Sequence, residues 1–377
     1  MTITHGAAPL IPPQQFIGLD GITHLAAGGE TPALRSHTAA VERFLTDKSG
    51  GMPGRNRLFE TAGRVRGKVA RLFDLEAGDV GFLLNASEGL TVAAAGLGAG
   101  PGDNVVVAGA DFPSVVLAAT GLRQAGVEIR AAGSGLVATT DDYAAAVDAQ
   151  TRAIFVSHVS HLTGARQDLA ALRAVADAVG ARLIVDVSHA AGAVPVDGRL
   201  CDIVVSCCYK WLLSVHGCGL FCVNHRRWPD LMPRTIGWHA IVETETGQPL
   251  FGHTLKPGIE RFESGNVPFL AIHVLENGLD TLMAIGAADR EAHCEALTRR
   301  LRDGLVARGL DVLTPEPAER RAGNVCIAME ASERVEAGLR EHGVLVWAGE
   351  ERVRFSPYLY NDADGIDRCL DALGKVL

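Results

Sequence analysis

The sequence predicts an α/β fold with a mostly parallel central sheet flanked by helices, and a smaller α+β domain at the C-terminal end. Three observations support this prediction. Between about residues 80 and 225, short runs rich in β-branched residues alternate with alanine-rich stretches of helical character. The runs are apolar without strict alternation, as expected of strands covered on both faces. After Pro268 the pattern changes to a long helical stretch followed by separated short strands.

The central sheet is predicted from six apolar runs. In chain order these are Val80–Leu84, Asn104–Ala108, Ala153–Ser157, Arg182–Val187, Asp202–Cys207 and Gly219–Val223. Ligands of parallel sheets bind beyond the carboxyl ends of the strands. The residues that follow each run are therefore the first candidates for a functional site.

The C-terminal part has a different predicted order of elements. We expect a long helical stretch over Phe269–Arg308, strands around Asn324–Ala328 and Arg352–Phe355, and a final helix near Asp362–Leu377. The polar segment Glu243–Lys256 is predicted to be a surface loop. These patterns divide the chain into an N-terminal arm (residues 1–24), a large domain (25–268) and a small domain (269–377).

Composition excludes several classes of function. With 47% hydrophobic residues in 377, the chain can bury a large core. Its net charge of -9 and the lack of a basic run argue against nucleic acid or an anionic membrane as partner. The start lacks the pattern of a signal peptide, and no apolar stretch is long enough to span a bilayer, so we expect a cytoplasmic protein.

The cysteines and histidines do not form a metal motif. Five of the eight cysteines lie in one apolar segment between residues 201 and 222, which favours buried free thiols over a disulfide framework. His158 and His161 have two residues between them at a strand end, without an apparent third ligand. We predict no metal site.

Two charged residues at strand ends indicate the chemistry. The apolar run Asp202–Cys207 leads to Tyr209 and Lys210, so that lysine can face a cleft. Asp186 ends another buried run, where an isolated carboxylate is costly without a cationic or hydrogen-bonding partner. A protonated pyridine nitrogen would be such a partner, and Lys210 would form a Schiff base. The pair predicts a pyridoxal 5'-phosphate (PLP) site.

A candidate anion site follows the run Val80–Leu84. There Asn85-Ala86-Ser87-Glu88-Gly89 brings small residues and a hydroxyl to a helix N-terminus, where phosphate binds well. An ordinary helix N-cap by Ser87 is the alternative interpretation.

The order of these segments resembles the class V aminotransferase superfamily of fold type I PLP enzymes. This superfamily includes kynureninases, cysteine desulfurases and isopenicillin-epimerase-like proteins. The resemblance covers about residue 20 to the end, and its most specific matches are DVSHAAGAVPVD (Asp186–Asp197) and CCYKW (Cys207–Trp211). Further matches are DFPS (Asp111–Ser114), RFESGN (Arg261–Asn266) and VRFSPYLYN (Val353–Asn361).

The resemblance implies roles around the cofactor. Phe112 would stack on the ring face, while Ser87, the Ala86 amide and Tyr209 would bind the phosphate. His189 would lie near the cofactor or substrate, and a core histidine bonded to a backbone carbonyl is the alternative.

Three further residues complete the implied site. His161 stands where desulfurase-like relatives often carry asparagine near the ring oxygen, which suggests a role in tuning that phenolate. Asn266 would reach the phosphate of a neighbouring subunit, implying a homodimer with shared active sites. Arg354 resembles the arginine that binds the substrate carboxylate, against the alternative of a surface salt bridge. Arg55, Trp238 and His239 are pocket candidates to which we assign no role.

The reaction is predicted only to a class. Lys210, once released from the cofactor, would move protons at the substrate α-carbon. Transamination is the first choice, and a lyase (β-elimination, C–S lyase or kynureninase-like) or an epimerase is the alternative. Leu339–Arg354 contains no cysteine, which argues against persulfide chemistry on the enzyme. Val115 follows DFPS where kynureninases typically carry aspartate.

Two hypotheses from other classes remain. A nicotinamide-dependent dehydrogenase is disfavoured because the glycine-rich Gly96–Asp103 precedes a predicted strand, the reverse of the order that dinucleotide binding needs. A catalytically silent PLP-binding protein is disfavoured because both Lys210 and Asp186 are present.

Overall fold

The computed structural model describes residues 8–242, 249 and 252–377. Within these residues the large sheet has seven strands in the order β2-β8-β7-β6-β5-β3-β4. They are β2 (Val80–Leu83), β3 (Asn104–Val107), β4 (Glu128–Ala131), β5 (Thr151–Ser157), β6 (Arg182–Asp186), β7 (Ile203–Cys207) and β8 (Gly219–Val223). Strand β8 runs antiparallel to both its neighbours, and the other pairs are parallel. The predicted mostly parallel α/β sheet is confirmed.

Helices cover both faces of this sheet. They are α1 (His37–Ser49), α2 (Gly51–Phe73), α3 (Ala86–Gly96), α4 (Pro113–Gly121), α5 (Thr140–Ala146) and α6 (Leu169–Val179). On β5, Ile154 and Val156 join the hydrophobic cluster that contains residues of α2 and α6. Ala153 and Phe155 join the opposite cluster, with residues of α3 and α4. Burial on both faces explains why the strand runs are continuously apolar.

One strand of the large sheet was not predicted from the sequence. Strand β4 forms the edge of the sheet, and its residues are exposed or half-buried. Glu128 and Arg130 pair with each other along it, with Arg130 Nε 2.9 Å from Glu128 Oε1. An edge strand with charged side chains lacks the apolar run that marks the buried strands.

A second, smaller sheet lies in the C-terminal part. It consists of β11 (Val325–Ala328), β13 (Trp347–Gly349) and β14 (Arg352–Phe355), in the antiparallel order β11-β14-β13. The C-terminal helices are α7 (Phe269–Ile285), α8 (Ala287–Ala307), α9 (Ser332–Glu341) and α10 (Ala363–Val376). A third hydrophobic cluster, with residues of α8, α9 and α10, covers this small sheet.

The long helical stretch predicted over residues 269–308 consists of two helices. The stretch is divided into α7 and α8 at Gly286, whose φ of 86° lies outside the helical range. Glycine adopts this conformation without the steric cost that a Cβ would impose. The apolar periodicity on either side of Gly286 hides the break in the sequence.

The N-terminal segment is attached to the C-terminal part. Strand β1 (Thr23–His24) pairs in parallel with β12 (Val344–Leu345). The next residues continue along the small sheet, since Ser356 N donates to Leu25 O and Ala27 N to Ser356 O. Residues 25–27 therefore connect the two parts of the molecule beside the strand that ends at Phe355.

The predicted loop Glu243–Lys256 is only partly described, because 243–248 and 250–251 lie outside the described residues. Its two flanks pair with each other, as β9 (Ile241–Val242) and β10 (Thr254–Leu255) are antiparallel.

Two other sequence predictions concern the whole chain. All eight cysteines are buried and free, as predicted. Among the described residues, the helices are too short or too polar for any of them to span a bilayer.

Candidate active site

A buried lysine lies at the carboxyl edge of the large sheet. Lys210 follows β7 and is only 7% exposed. Its Nζ lies 3.1 Å from His189 Nε2, and 5.3 Å and 5.7 Å from the ring centroids of Phe112 and Tyr209. Enclosure by aromatic rings and a neutral imidazole keeps this amine away from bulk water, as a covalent attachment point requires.

A buried carboxylate ends the adjacent strand. Asp186 is the last residue of β6, is 4% exposed, and its Oδ1 accepts from the Ser188 amide at 2.8 Å. Burial raises the pKa of Asp186, while the bonds from Ser188 and the charge of Lys210 act in the opposite direction. A cationic ring nitrogen next to it would favour the charged carboxylate further.

Two helix N-termini meet in front of these strands. Helix α3 is capped by Asn85, whose Oδ1 accepts from the Glu88 amide at 2.8 Å. The alternative of Ser87 as N-cap is therefore wrong: Ser87 lies in the first turn, and its Oγ is 2.7 Å from Ser114 Oγ in the first turn of α4. Two hydroxyls at two helix starts are an arrangement that suits an anion. Ser114 belongs to the DFPS motif, but no role was predicted for it.

Two histidines flank the lysine. The ring of His161 lies edge-on to Phe112, with centroids 5.0 Å apart. Burial, with the charges of Arg354 and Lys210, lowers the pKa of His161 to about 4. Its Nδ1 is buried and has no hydrogen-bond partner among the described residues. Burial, with the charges of Lys210 and Arg354, also lowers the pKa of His189 well below its usual range. Both rings are therefore neutral at pH 7.

The small sheet contributes a guanidinium to the same region. Arg354 on β14 is 5% exposed, and its NH1 donates to the His161 carbonyl at 3.0 Å. The guanidinium carbon lies 4.8 Å from the Trp347 ring centroid. Arg354 is thus buried at the junction of the two sheets. The alternative of a surface salt bridge is wrong.

Asn324, a residue that sequence inspection missed, also reaches this cluster. Its Nδ2 lies 3.0 Å from His189 Nδ1, although 135 positions separate the two residues. An asparagine just before a strand is common, so no local signal could have singled it out.

Asn266 does not join these residues within one chain. It accepts from Arg55 NH2 at 3.0 Å. The Arg55 guanidinium lies near the rings of Phe59 and Trp238, at 5.3 Å and 5.8 Å from their centroids. His239 stacks on Phe59 and lies 3.8 Å from Glu263, which is a structural role.

The residues around Lys210 line one cavity, and their chemistry suits PLP. Its lining includes seven of the predicted residues: Ala86, Ser87, Phe112, Asp186, His189, Tyr209 and Lys210. It also includes six that were not predicted: Asn85, Ser114, Ser157, Val159, Ser188 and Cys207. An amine for the aldehyde, a carboxylate for the ring nitrogen, an aromatic face and an anion site are the donor set that this cofactor needs.

The comparison with known families agrees with this geometry. The model of the family Aminotransferase class-V matches residues 43–369. The chain belongs to the class V aminotransferase family. It is therefore a PLP-dependent enzyme that acts on an amino acid.

Among its relatives, the kynureninase of Pseudomonas fluorescens is 28% identical over 286 residues, which are 72% of this chain and 67% of that protein. The apo structure of a cysteine desulfurase from Thermococcus onnurineus superposes with a TM-score of 0.88 at 20% identity, over 96% of each chain. The cystine C–S lyase C-DES, in complex with its product cysteine persulfide, superposes with a TM-score of 0.87 at 19% identity, over 95% of this chain and 99% of that one. These solved structures confirm the fold.

Proposed function

We propose that this class V family member is an aminotransferase that binds PLP on Lys210 and an α-amino acid on Arg354. The observation that carries the proposal is the placement of Lys210 Nζ, buried and 3.1 Å from a neutral imidazole, at the end of the strand next to Asp186. When bound, the cofactor supplies an electron-accepting ring to the substrate α-carbon. Proton movement at that carbon is then the task of the protein.

Each part of the cofactor has a candidate partner. The phosphate would be held by the Ala86 amide, Ser87 and Tyr209, and we add Ser114 because its hydroxyl contacts that of Ser87. Phe112 would cover one face of the ring. Asp186 would keep the ring nitrogen protonated.

Arg354 would bind the α-carboxylate of the substrate. Its Nε is buried and unpartnered within the described part of the chain. Trp347 below the guanidinium fixes its plane, which suits two parallel hydrogen bonds to a carboxylate. His161 contacts both this arginine and Phe112, and so would contact cofactor and substrate.

Lys210 is the proton carrier in this proposal. As a free amine, its Nζ would take the proton from the substrate α-carbon and hold it for return. The neutral His189 ring next to it orients the amine without competing as a charged acid.

A lyase is the second candidate function. It is favoured by the kynureninase and C–S lyase among the similar proteins, together with the absence of cysteine from Leu339–Arg354. A lyase without that cysteine would expel its leaving group directly. The same residues would serve, with the proton of the α-carbon removed by Lys210 and the β-substituent lost.

The test begins with the protein purified with PLP. Its visible spectrum, borohydride reduction and peptide mapping should place the cofactor on Lys210, with Lys210→Ala unlabelled and Lys375→Ala, far from the cavity, labelled as the wild type. A colourless protein, or label on another lysine, would overturn the PLP assignment.

The reaction type is tested on the same preparation. Transamination yields a keto acid without free ammonia and needs an amino-group acceptor for turnover. Elimination yields keto acid and ammonia in equal amounts without an acceptor. If every amino acid that reacts gives one ammonia per keto acid without an acceptor, the protein is a lyase and not an aminotransferase.

We also propose a homodimer in which Asn266 acts on the cofactor phosphate of the partner. Asn266 does not line the cavity of its own chain, and Trp238 beside it is 58% exposed. Coexpressed subunits carrying Lys210→Ala and Asn266→Ala should regain activity, because one site of each mixed dimer is intact. No gain over the separate variants would exclude the shared site.

We also propose a division into domains and a cellular compartment. The small sheet with its own hydrophobic cluster supports a small domain over 269–377 beside a large domain over 25–268, with 1–24 as an arm. Eight free thiols support a reducing compartment, and hence the cytoplasm.

A further inference from the structure

The cavity around Lys210 offers no side-chain cation to the cofactor phosphate. Of the described residues that line it, only Asp186 and Lys210 are charged, since His189 is neutral. In the proposed function Lys210 binds the aldehyde of the cofactor, while a phosphate group carries about −1.5 to −2 charges at pH 7. The hydroxyls of Ser87 and Ser114 supply hydrogen bonds without charge. A cation that neutralises the phosphate must therefore come from outside these residues.

Arg55, near the start of α2, is a cation without a carboxylate partner. The next arginine of the same helix, Arg57, pairs with Asp47, whereas Arg55 forms no ion pair with any described residue. Its one hydrogen bond within the described part of the chain runs from NH2 to Asn266 Oδ1, at 3.0 Å. The other N–H groups of this guanidinium are available to an anion.

The bond from Arg55 fixes the orientation of the Asn266 amide. A guanidinium only donates hydrogen bonds, so the amide atom that faces it is the oxygen. The amide nitrogen, with its two N–H groups, is therefore turned away from Arg55. Asn266 is exposed and does not line the cavity of its own chain, so this donor is available to a group on another molecule.

Exposed apolar side chains lie beside Arg55 and Asn266. Met52 and Trp238 are each more than half exposed. The Trp238 ring centroid is 5.8 Å from the guanidinium carbon, and Met52 lies three positions before Arg55, on the same face of α2. Large apolar side chains grouped in this way mark a contact surface. We call these four residues the cationic patch.

A second exposed apolar surface borders the phosphate end of the cavity. Leu84 directly precedes Asn85, the cap of α3, and Leu117 follows Ser114 by about one turn of α4. Both leucines are more than half exposed. In a dimer with twofold symmetry, a patch of one chain that meets a different patch of the other chain does so twice. A second copy of this chain could thus place its cationic patch against this surface, with a cation facing the phosphate.

We propose that Arg55 binds the cofactor phosphate of the partner subunit, together with the Asn266 amide that it orients. The guanidinium supplies the charge that the cavity lacks, and its planar N–H groups suit phosphate oxygens. The Asn266 N–H groups add a hydrogen bond from the same patch. This role rests on the proposed function, because it requires PLP on Lys210 and a homodimer.

Cofactor affinity tests the role of the guanidinium. Arg55→Gln should raise the Kd for PLP about 10- to 100-fold, as expected for lost hydrogen bonds to a charged group, and the Kd for pyridoxal, which lacks the phosphate, less than about twofold. Arg55→Lys should lie between the wild type and Arg55→Gln, because it keeps the charge and loses the planar donors. Arg57→Gln, which removes a guanidinium that is already paired, should bind PLP as the wild type does. Borohydride trapping on Lys210 over a range of ligand concentrations gives each Kd.

Mixed dimers, purified through two different tags, test whether Arg55 acts across the interface. When one chain carries Lys210→Ala and the other Arg55→Gln, the single lysine site receives an intact Arg55 from its partner and should bind PLP as tightly as the wild type. When both substitutions are in one chain and the other is wild type, the single lysine site receives no guanidinium and should bind PLP about 10- to 100-fold more weakly. The two dimers contain the same substitutions, so only their distribution differs.

The reverse pattern in the mixed dimers would assign Arg55 to the site of its own chain and overturn the proposal. Equal PLP affinities of Arg55→Gln and Arg57→Gln, equal losses of affinity for PLP and pyridoxal, or a labelled wild type that sediments as a monomer would also overturn it. In each of these cases normal labelling of Lys210 in the wild type leaves the PLP assignment intact. A wild type whose Lys210 is not labelled with PLP would refute the proposed function itself.

Discussion

At the scale of single residues, the site is dominated by two ionisable groups that the sequence makes conspicuous. Lys210 and Asp186 each follow an apolar run, and the pairing of β6 with β7 places those runs side by side. Burial of both side chains is costly unless they serve each other or a ligand. Their prediction from sequence depended on this contrast between a charged residue and its apolar surroundings.

Asp186→Asn should leave PLP attached to Lys210 but slow turnover by about 100-fold or more, because a neutral amide cannot hold the proton on the ring nitrogen. Steady-state kinetics and the extent of borohydride labelling would measure the two effects. Asp197→Asn is the control, since Asp197 stands in the same motif but pairs with Arg199 at the surface. Equal rates for the two variants would remove Asp186 from the mechanism.

Arg354→Lys should raise KM for amino-acid substrates about 10- to 100-fold, the usual worth of a charged hydrogen bond of about 1.5–3 kcal/mol. An ammonium keeps the charge but loses the planar pair of donors and the stacking on Trp347. Arg352→Lys, two residues earlier on β14, should have little effect because Arg352 pairs with Glu350. An unchanged KM in Arg354→Lys would assign carboxylate binding to another group.

Other residues of the site could not be predicted, for a physical reason. Ser114 and Asn324 are polar residues at element boundaries, where such residues are common whatever the function. Their importance arises from contacts with Ser87 and His189, which lie 27 and 135 positions away in the chain. Only tertiary structure supplies those distances.

At the scale of elements, the start of α3 is the feature that links folding to binding. Asn85 satisfies the Glu88 amide of the first turn, and the Ser87 hydroxyl in the same turn contacts the Ser114 hydroxyl. The earlier amides of a helix have no partner within the helix, so those of Ala86 and Ser87 are available to a ligand. The six predicted strands and the final helix were found because their apolar patterns match the period of each structure. Strand β4 and the break at Gly286 were missed because neither alters that pattern in the expected way.

Asn85→Ala should destabilise the protein by about 1 kcal/mol through loss of the cap, and should also weaken PLP binding because the helix start is less ordered. Denaturant unfolding and a cofactor titration would measure the two effects. Asp168→Ala removes the cap of α6, where Asp168 accepts from the Ala171 amide. This control should lose similar stability without a change in PLP affinity, and equal affinities in both variants would show that α3 is not the anion site.

At the scale of the whole molecule, buried neutral histidines make stability depend on pH. Burial, together with the charge of Arg166, lowers the pKa of His158 to about 3 from an ordinary value of 6.5. As pH falls below about 6.5, the unfolded chain takes up this proton and the folded chain does not, so stability decreases. Asp111 acts in the opposite direction, because burial raises its pKa to about 6 and the folded chain takes up its proton first.

His158→Gln isolates one of these contributions. Between pH 6.5 and 4.5 the wild type should lose up to about 2.7 kcal/mol more than the variant, since each unit of pH is worth about 1.4 kcal/mol for one proton. Urea unfolding of cofactor-free protein across this range would give the difference. Parallel curves for the two proteins would mean that His158 is protonated in the folded state.

The pairing of β1 with β12 has a consequence for how the chain is made. His24 leaves the ribosome about 320 residues before its partner Leu345. At about 5–20 residues per second, that interval is roughly 16–64 s. During this time the large sheet can form while residues 23–27 wait without their strand partners. Strand β1 is therefore synthesised long before its partner strand and is among the last segments to pair.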